Sequence, residues 1–302
     1  MAHGETSQGC RDVFDAVEGS VVRLSVAGGS PFIGSGFVVF HEQRARLIMT
    51  CMHVVDDLPP GAALRAHFSE SRGPEDVPVR VVFVDARRDL ALLRADDVPP
   101  GIGYSVGFFE YPITRYEVVL VAFFNMPDAP VMVRPGTFPG HIVTQPIVEQ
   151  PEPNLVEFFR ASYTSKPGTS GGPVVEPSSN LVVGVHAKGH AGAKLFISAR
   201  SVRTALRQWL GLGVNEYASE SIQDLIGLIA QQRRRSSKAE ALGAAAAAAA
   251  ALATLVGEQQ RQQNAWSFFV VSSSKDDVVF RLNSCSTMHG AWVSNSNMSS
   301  PQ

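Results

Sequence analysis

A serine hydroxyl becomes a nucleophile when an imidazole takes its proton and a carboxylate fixes the tautomer of that imidazole. The sequence supplies each group in a fitting setting. Ser170 lies in K-P-G-T-S-G-G-P-V-V, residues 166–175, where three glycines and two prolines forbid a regular helix or strand and call for a tight turn that presents one hydroxyl. The backbone N–H groups of Gly168 and Ser170 can point into one small space, as needed to hold the oxyanion formed when a carbonyl is attacked. His53 ends the apolar run L-I-M-T-C-M-H, and Asp89 stands just before L-A-L-L. Imidazole titrates near neutrality without help, so His53 is the candidate general base and then acid. Asp89 is the candidate orienting carboxylate, with Asp85 as its rival four residues earlier.

These residues need strands to hold them. Short apolar runs rich in β-branched residues recur from Val13 onward: V-V-R-L-S-V, G-F-V-V-F, R-L-I-M-T, A-L-R-A-H-F, V-P-V-R-V-V-F-V and L-A-L-L, with turn signals between them. The spacing predicts a first barrel over about 12–97. V-P-P-G-I-G, 98–103, reads as a linker. A second barrel follows over about 104–198, from E-V-V-L-V-A-F-F, A-P-V-M-V-R, H-I-V-T-Q-P-I-V, N-L-V-E-F-F, G-P-V-V, L-V-V-G-V-H and A-K-L-F-I-S. Val202, Leu206 and Leu210 recur at helical spacing in 199–210. The His, Asp, Ser order and the strand content argue against the nucleophile elbow of an α/β hydrolase, whose acid and His follow the serine.

The chain resembles the trypsin-like (chymotrypsin-fold) serine peptidases, especially their HtrA/Deg and glutamyl-endopeptidase branches. G-S-G-F-V-V at 34–39, T-C-M-H-V-V at 50–55, D-L-A-L-L at 89–93, G-T-S-G-G-P at 168–173 and V-V-G-V-H at 182–186 carry the resemblance. It implies an all-β double six-stranded barrel with a C-terminal helical extension, the peptidase domain spanning 12–211. It also implies a serine endopeptidase working through an acyl-enzyme, with His53, Asp89 and Ser170 as triad and no metal or organic cofactor. Thr164 and Ser165 align with the floor of the specificity pocket, and His186 with the histidine that helps glutamyl endopeptidases and viral 3C-type peptidases recognise Glu or Gln before the cut bond. Lys188 and Gly189 continue that motif. Two positions depart from the pattern: Thr169 stands where zymogens carry an Asp, and Ala187 where a serine helps hold the triad Asp. No PDZ domain is evident. The alternative reading is a catalytically weak peptide-binding module on the same fold.

Composition narrows the class further. A net charge of -2 gives no reason to expect nucleic acid, and Arg233 to Arg235 reads as a solvated helix face. Three widely spaced cysteines, Cys10, Cys51 and Cys285, do not form a disulfide framework and favour a reducing, cytoplasmic setting. The first residues lack the apolar core of a secretory signal. Residues 1–11 read as a loose polar lead-in. Beyond 212, 219–232 suggests an amphipathic helix and the alanine tract 244–251 a second one, with a poorly ordered Ser/Asn-rich tail. The uncharged stretch 241–257 is short and alanine-rich, so a soluble helix, open to homo-oligomer formation, is expected over a membrane span. The expected partners are protein or peptide substrates.

Overall fold

The computed structural model describes residues 3–27, 32–56, 58, 62–68, 76–111, 113, 117–125, 134–187, 194–213 and 220–234, with 247, 248, 254, 256 and 258 beyond. The chain divides into two units, 1–239 and 240–302. In the second unit the five described residues are helical and exposed. Among the described residues no helix is long and apolar enough to cross a membrane.

Six strands of the first unit close on themselves: β1 (Val21–Val26), β2 (Gly34–Glu42), β3 (Ala45–Thr50), β4 (Leu64–Phe68), β5 (Asp76–Asp85) and β6 (Leu90–Ala95), in the order β1-β2-β3-β6-β5-β4. β4 pairs back onto β1, Leu24 opposite Ala66. Leu24, Phe37, Ile48, Leu90 and Leu92 are fully buried, each such burial being worth about 1.5–3 kcal/mol. β3 and β6 run antiparallel with Thr50 opposite Ala91. That register sets the segment after β3 beside the segment before β6, on one rim of the barrel.

The chain then crosses to a second sheet. Arg46, buried on β3, anchors the crossing: its Nε donates to Ile102 O at 2.9 Å and to Gly103 O at 2.8 Å. The sheet comprises β7 (Glu117–Ala122), β8 (Gly136–His141), β9 (Ile147–Gln150), β10 (Val156–Ala161), β11 (Pro173–Glu176), β12 (Leu181–Ala187) and β13 (Lys194–Ser198), in the order β8-β7-β11-β12-β13-β10-β9. The expected second six-stranded barrel is thus a seven-stranded sheet. It curls until the end of β8 meets β10 through a bridge between Ile142 and Ala161, with Ser162 N donating to His141 O at 2.9 Å and Val143 N to Arg160 O at 3.0 Å. The strand expected over 129–134 falls, up to residue 133, outside the described residues; Arg134 lies in a bend.

Helices brace both the barrel and the second sheet. α1 (His3–Val17) occupies the stretch expected to be a loose lead-in. Val13 and Val17 are buried and anchor it, and it lies against β7 and β8. α3 (Ala199–Trp209) starts at Ser198, whose side chain accepts from Ser201 N, and stops at Gly211, φ +68. There Gly211 N reaches Gln208 O and Leu212 N reaches Arg207 O, at 3.0 Å each, a Schellman ending. A further helix over 222–234 is capped reciprocally by Ser221 and Asp224, and buries Ile222, Leu225, Ile226 and Ile229. Gln223 donates to Val39 O, and Arg233 to Val82 O, so this helix lies on the first barrel.

Candidate active site

His53 opens α2 (His53–Asp56), a single helical turn immediately after β3. Asp89 sits one residue before β6 with φ +54, a left-handed conformation that aspartate tolerates better than most residues. Three bonds join the two segments. Met52 N donates to Asp89 O at 3.1 Å, His53 N donates to Asp89 Oδ1 at 2.9 Å, and His53 Nδ1 lies 2.7 Å from Asp89 Oδ2. The carboxylate therefore grips the residue by backbone and ring together, which places the Nδ1 proton toward Asp89 and leaves Nε2 to act as base. Asp85 is spoken for elsewhere: its Oδ1 accepts from the N–H groups of Arg87 and Arg88, and its Oδ2 pairs with the Arg88 guanidinium. Arg88, buried, also donates to Leu155 O at 2.7 Å and to Gln208 Oε1 at 2.9 Å. The turn that delivers Asp89 is thereby tied to the second sheet and to α3.

Ser170 is half-buried on the turn before β11, between Gly168 at φ +95 and Gly171 at φ +85. A Cβ on Gly171 would lie 2.2 Å from Ser35 O and 2.3 Å from Thr50 Oγ1; one on Gly168 would lie 2.1 Å from the Phe32 ring. Glycine is required at both by conformation and by space. Ser35 holds this turn to the first barrel. Its N–H donates to Ser170 O at 2.8 Å and its Oγ donates to Gly168 O at 2.9 Å, while Thr50 Oγ1 donates to Ser35 O at 2.7 Å. The Ser170 turn is so placed against Thr50 and Cys51, the residues that lead into His53. Sequence reasoning missed Ser35, whose Oγ partners are 88 and 133 residues away.

Two peptide planes fix which way the amides expected to hold an oxyanion point. The Pro167 carbonyl accepts from Asn125 N at 2.8 Å, and the Thr169 carbonyl from Gly172 N at 3.1 Å. In a planar trans peptide the C=O and N–H point opposite ways, so the amides of Gly168 and Ser170 turn away from these partners. Thr169, in the place of a zymogen Asp, is buried and donates its hydroxyl to Lys166 O at 2.8 Å, bracing the turn without a charge.

Of the expected pocket residues, His186 is buried and Ser165 half-buried, whereas Thr164 is exposed and does not form a buried floor. Chain alternation turns Tyr163 inward instead, a residue the sequence reading did not single out. Its hydroxyl lies 3.0 Å from His186 Nδ1, and the rings meet edge to face at 5.4 Å. Burial, ahead of an opposing hydrogen bond to the Leu195 backbone, lowers the His186 pKa to about 4, so the ring is neutral near pH 7. Burial likewise raises the Tyr163 hydroxyl well above its usual range. Ala187 is buried and brings no side-chain donor. Lys188 and Gly189 lie outside the described residues. A separate cavity of about 370 Å³, lined by Phe109, Phe159 and Arg200 among others, shares no residue with this site.

The model of the trypsin-like peptidase domain matches residues 34–185. Among solved structures the chain is similar to the Rv3671c protease from M. tuberculosis in its active form, with 21% identity, 68% of this chain and 86% of that chain covered, and a TM-score of 0.51. An inactive mutant form of the same protein gives 20% identity, coverage of 66% and 90%, and a TM-score of 0.50. At such identity the likeness is one of fold. No curated protein matches. With its closed six-stranded barrel, curled second sheet and a family match across the segments that bear His53, Asp89 and Ser170, this chain belongs to the trypsin-like peptidase domain family.

Proposed function

We propose that the chain is a serine endopeptidase that cuts protein or peptide substrates through an acyl-enzyme on Ser170. His53 Nε2 takes the Ser170 proton as Oγ bonds to the substrate carbonyl carbon, and the resulting oxyanion is received by the amides of Gly168 and Ser170. The C–N bond then breaks, with His53 returning the proton to the leaving amine. Water, deprotonated by the same imidazole, releases the acid. The observation that carries this reading is the double hold of Asp89 on His53, at 2.9 and 2.7 Å, on the rim that receives the Ser170 turn. No metal or organic cofactor has a part in it.

The test is covalent. A fluorophosphonate probe should label the wild type on the peptide containing Ser170 and leave Ser170→Ala unlabelled. A folded wild type that takes no label would instead be a peptide-binding module.

Specificity for Gln or Glu before the cut bond follows from the same reading. His186 is neutral and held by Tyr163, so it can offer one ring N–H to a substrate side-chain oxygen in exchange for the Leu195 backbone, with the Ser165 hydroxyl as second donor. A neutral His186 leaves a buried Glu carboxylate without a counter-charge, so the uncharged Gln amide suits the site at least as well. Profiling a peptide library decides this, since cuts mainly after Val, Ala or Leu would mark a small aliphatic pocket and retire the role given to His186.

A further inference from the structure

The first residue after β3 is Cys51, fully buried two positions before His53. Its Sγ donates to the His186 carbonyl at 3.2 Å, and that carbonyl also accepts from Gly171 N at 2.8 Å. One oxygen on β12 thus collects a donor from the residue that follows the nucleophile and another from the segment that carries the base. The sulfur lies within 4.8 Å of a His53 ring nitrogen and of an Asp89 carboxylate oxygen. Among the described residues His53 gives Asp89 two hydrogen bonds, the Cys51 thiol is a further hydrogen-bonding neighbour of that carboxylate, and Ala187 supplies none. What stands beside the acid is the thiol.

We propose that Cys51 is a positioning residue: its S–H ties the His53 segment to the β12 carbonyl that also holds the Ser170 turn, and so sets the base against the nucleophile across the two barrels. The thiol suits this because it stays protonated. Burial first, then the charge of Asp89, pushes its pKa well above the usual thiol range, and only S–H can donate to a carbonyl. A plain core filler would need only the volume of the sulfur, so shape and donor can be separated.

The inference rests on the serine-peptidase reading, and labelling of the wild type by fluorophosphonate tests that reading first. The comparison is then between Cys51→Ser, which keeps a donor in less volume, and Cys51→Val, which keeps volume without a donor, with Cys51→Ala lacking both. Cys51→Val and Cys51→Ala should lower kcat roughly three- to tenfold with KM within about twofold, the range for one lost hydrogen bond, while Cys51→Ser stays within about twofold of wild type. The acid limb of the kcat/KM profile, which reports the base, should shift in the first two and not in the third. A second readout needs no turnover: the downfield NMR resonance of the proton between His53 Nδ1 and Asp89 should exchange faster in Cys51→Val and Cys51→Ala than in wild type or Cys51→Ser. If Cys51→Val matches wild type in rate and resonance, or if losses follow melting temperature alone across the three variants, the positioning role is overturned.

Discussion

The closed barrel and the curled sheet differ in how far each joins up on itself. In the first, every neighbouring strand pair forms a ladder, and β4 returns to β1 over five partners from Val22↔Phe68 to Val26↔Leu64. His53 and Asp89 leave that ladder within a few residues of the Thr50↔Ala91 pair, so their mutual geometry is a consequence of register. In the second, one bridge and a few hydrogen bonds join β8 to β10, and Ser170, Tyr163 and Ser165 come from the turn region between β10 and β11. The Ser170 turn gains its place by being pinned to Ser35 of the first barrel, whose carbonyl Thr50 holds in turn. The closed barrel acts as the reference, and the curled sheet carries the groups to which the proposed function gives substrate contact.

The largest effect expected tests the reference barrel. Asp89→Asn keeps the shape but favours the wrong imidazole tautomer, so kcat should fall by about 10³–10⁴-fold with the melting temperature little changed. Asp85→Asn should do the reverse, costing stability by unpairing buried Arg88 while kcat stays within about tenfold. Equal loss of kcat in both would mean that the two carboxylates are not divided between chemistry and scaffold. Next comes the turn. Gly168→Ala meets the Phe32 ring and a φ of +95, and should swing one anion-hole amide out of place, lowering kcat about 10²–10³-fold with a smaller change in KM. A variant with unchanged kcat would show that this amide does not meet the developing charge.

His53, Asp89 and Ser170 were legible as candidates because each stands where a local pattern breaks: apolar β-branched runs end at His53 and begin after Asp89, and glycine and proline surround Ser170. The residues that hold them were less so. Ser35 looks like one small residue among glycines, and Tyr163 carries no periodic signal, since the partners of each lie far off in sequence. Strand β8, G-T-F-P-G-H, was unread because two glycines and a proline mask it; it survives as a sheet edge, where Pro139 opposite Val119 can lack an N–H donor on its open side. The polar start of α1 hid a helix whose hold comes from Val13 and Val17, near its other end.

His186 gives the second sheet a pH dependence. Its folded pKa, about 4, is below the unfolded value near 6.5, so between these limits the unfolded chain binds more protons and acid favours unfolding. The contribution is complete above about pH 6.5 and is lost as pH falls toward 4, amounting to roughly 3 kcal/mol. Urea melts at a series of pH values should show this slope in wild type and a flatter one in His186→Gln. The same slope in both would place the titration elsewhere.

The smallest effect addresses closure itself. Ser162 Oγ accepts from His141 N at 2.9 Å, and Ser162 N returns a bond to His141 O, so this exposed pair helps join the end of β8 to the chain leaving β10. Ser162→Ala removes the side-chain half. Because His141 N is near solvent and water can replace the lost partner, the cost should be only about 0.5–1 kcal/mol. The informative readout is local: amide exchange at His141 should quicken while Leu92 and Leu93 of the first barrel keep their protection, since opening one seam of a curled sheet leaves a closed ladder intact. Quickening in both barrels would show that the seam supports the reference barrel as well, and that the two halves open as one unit.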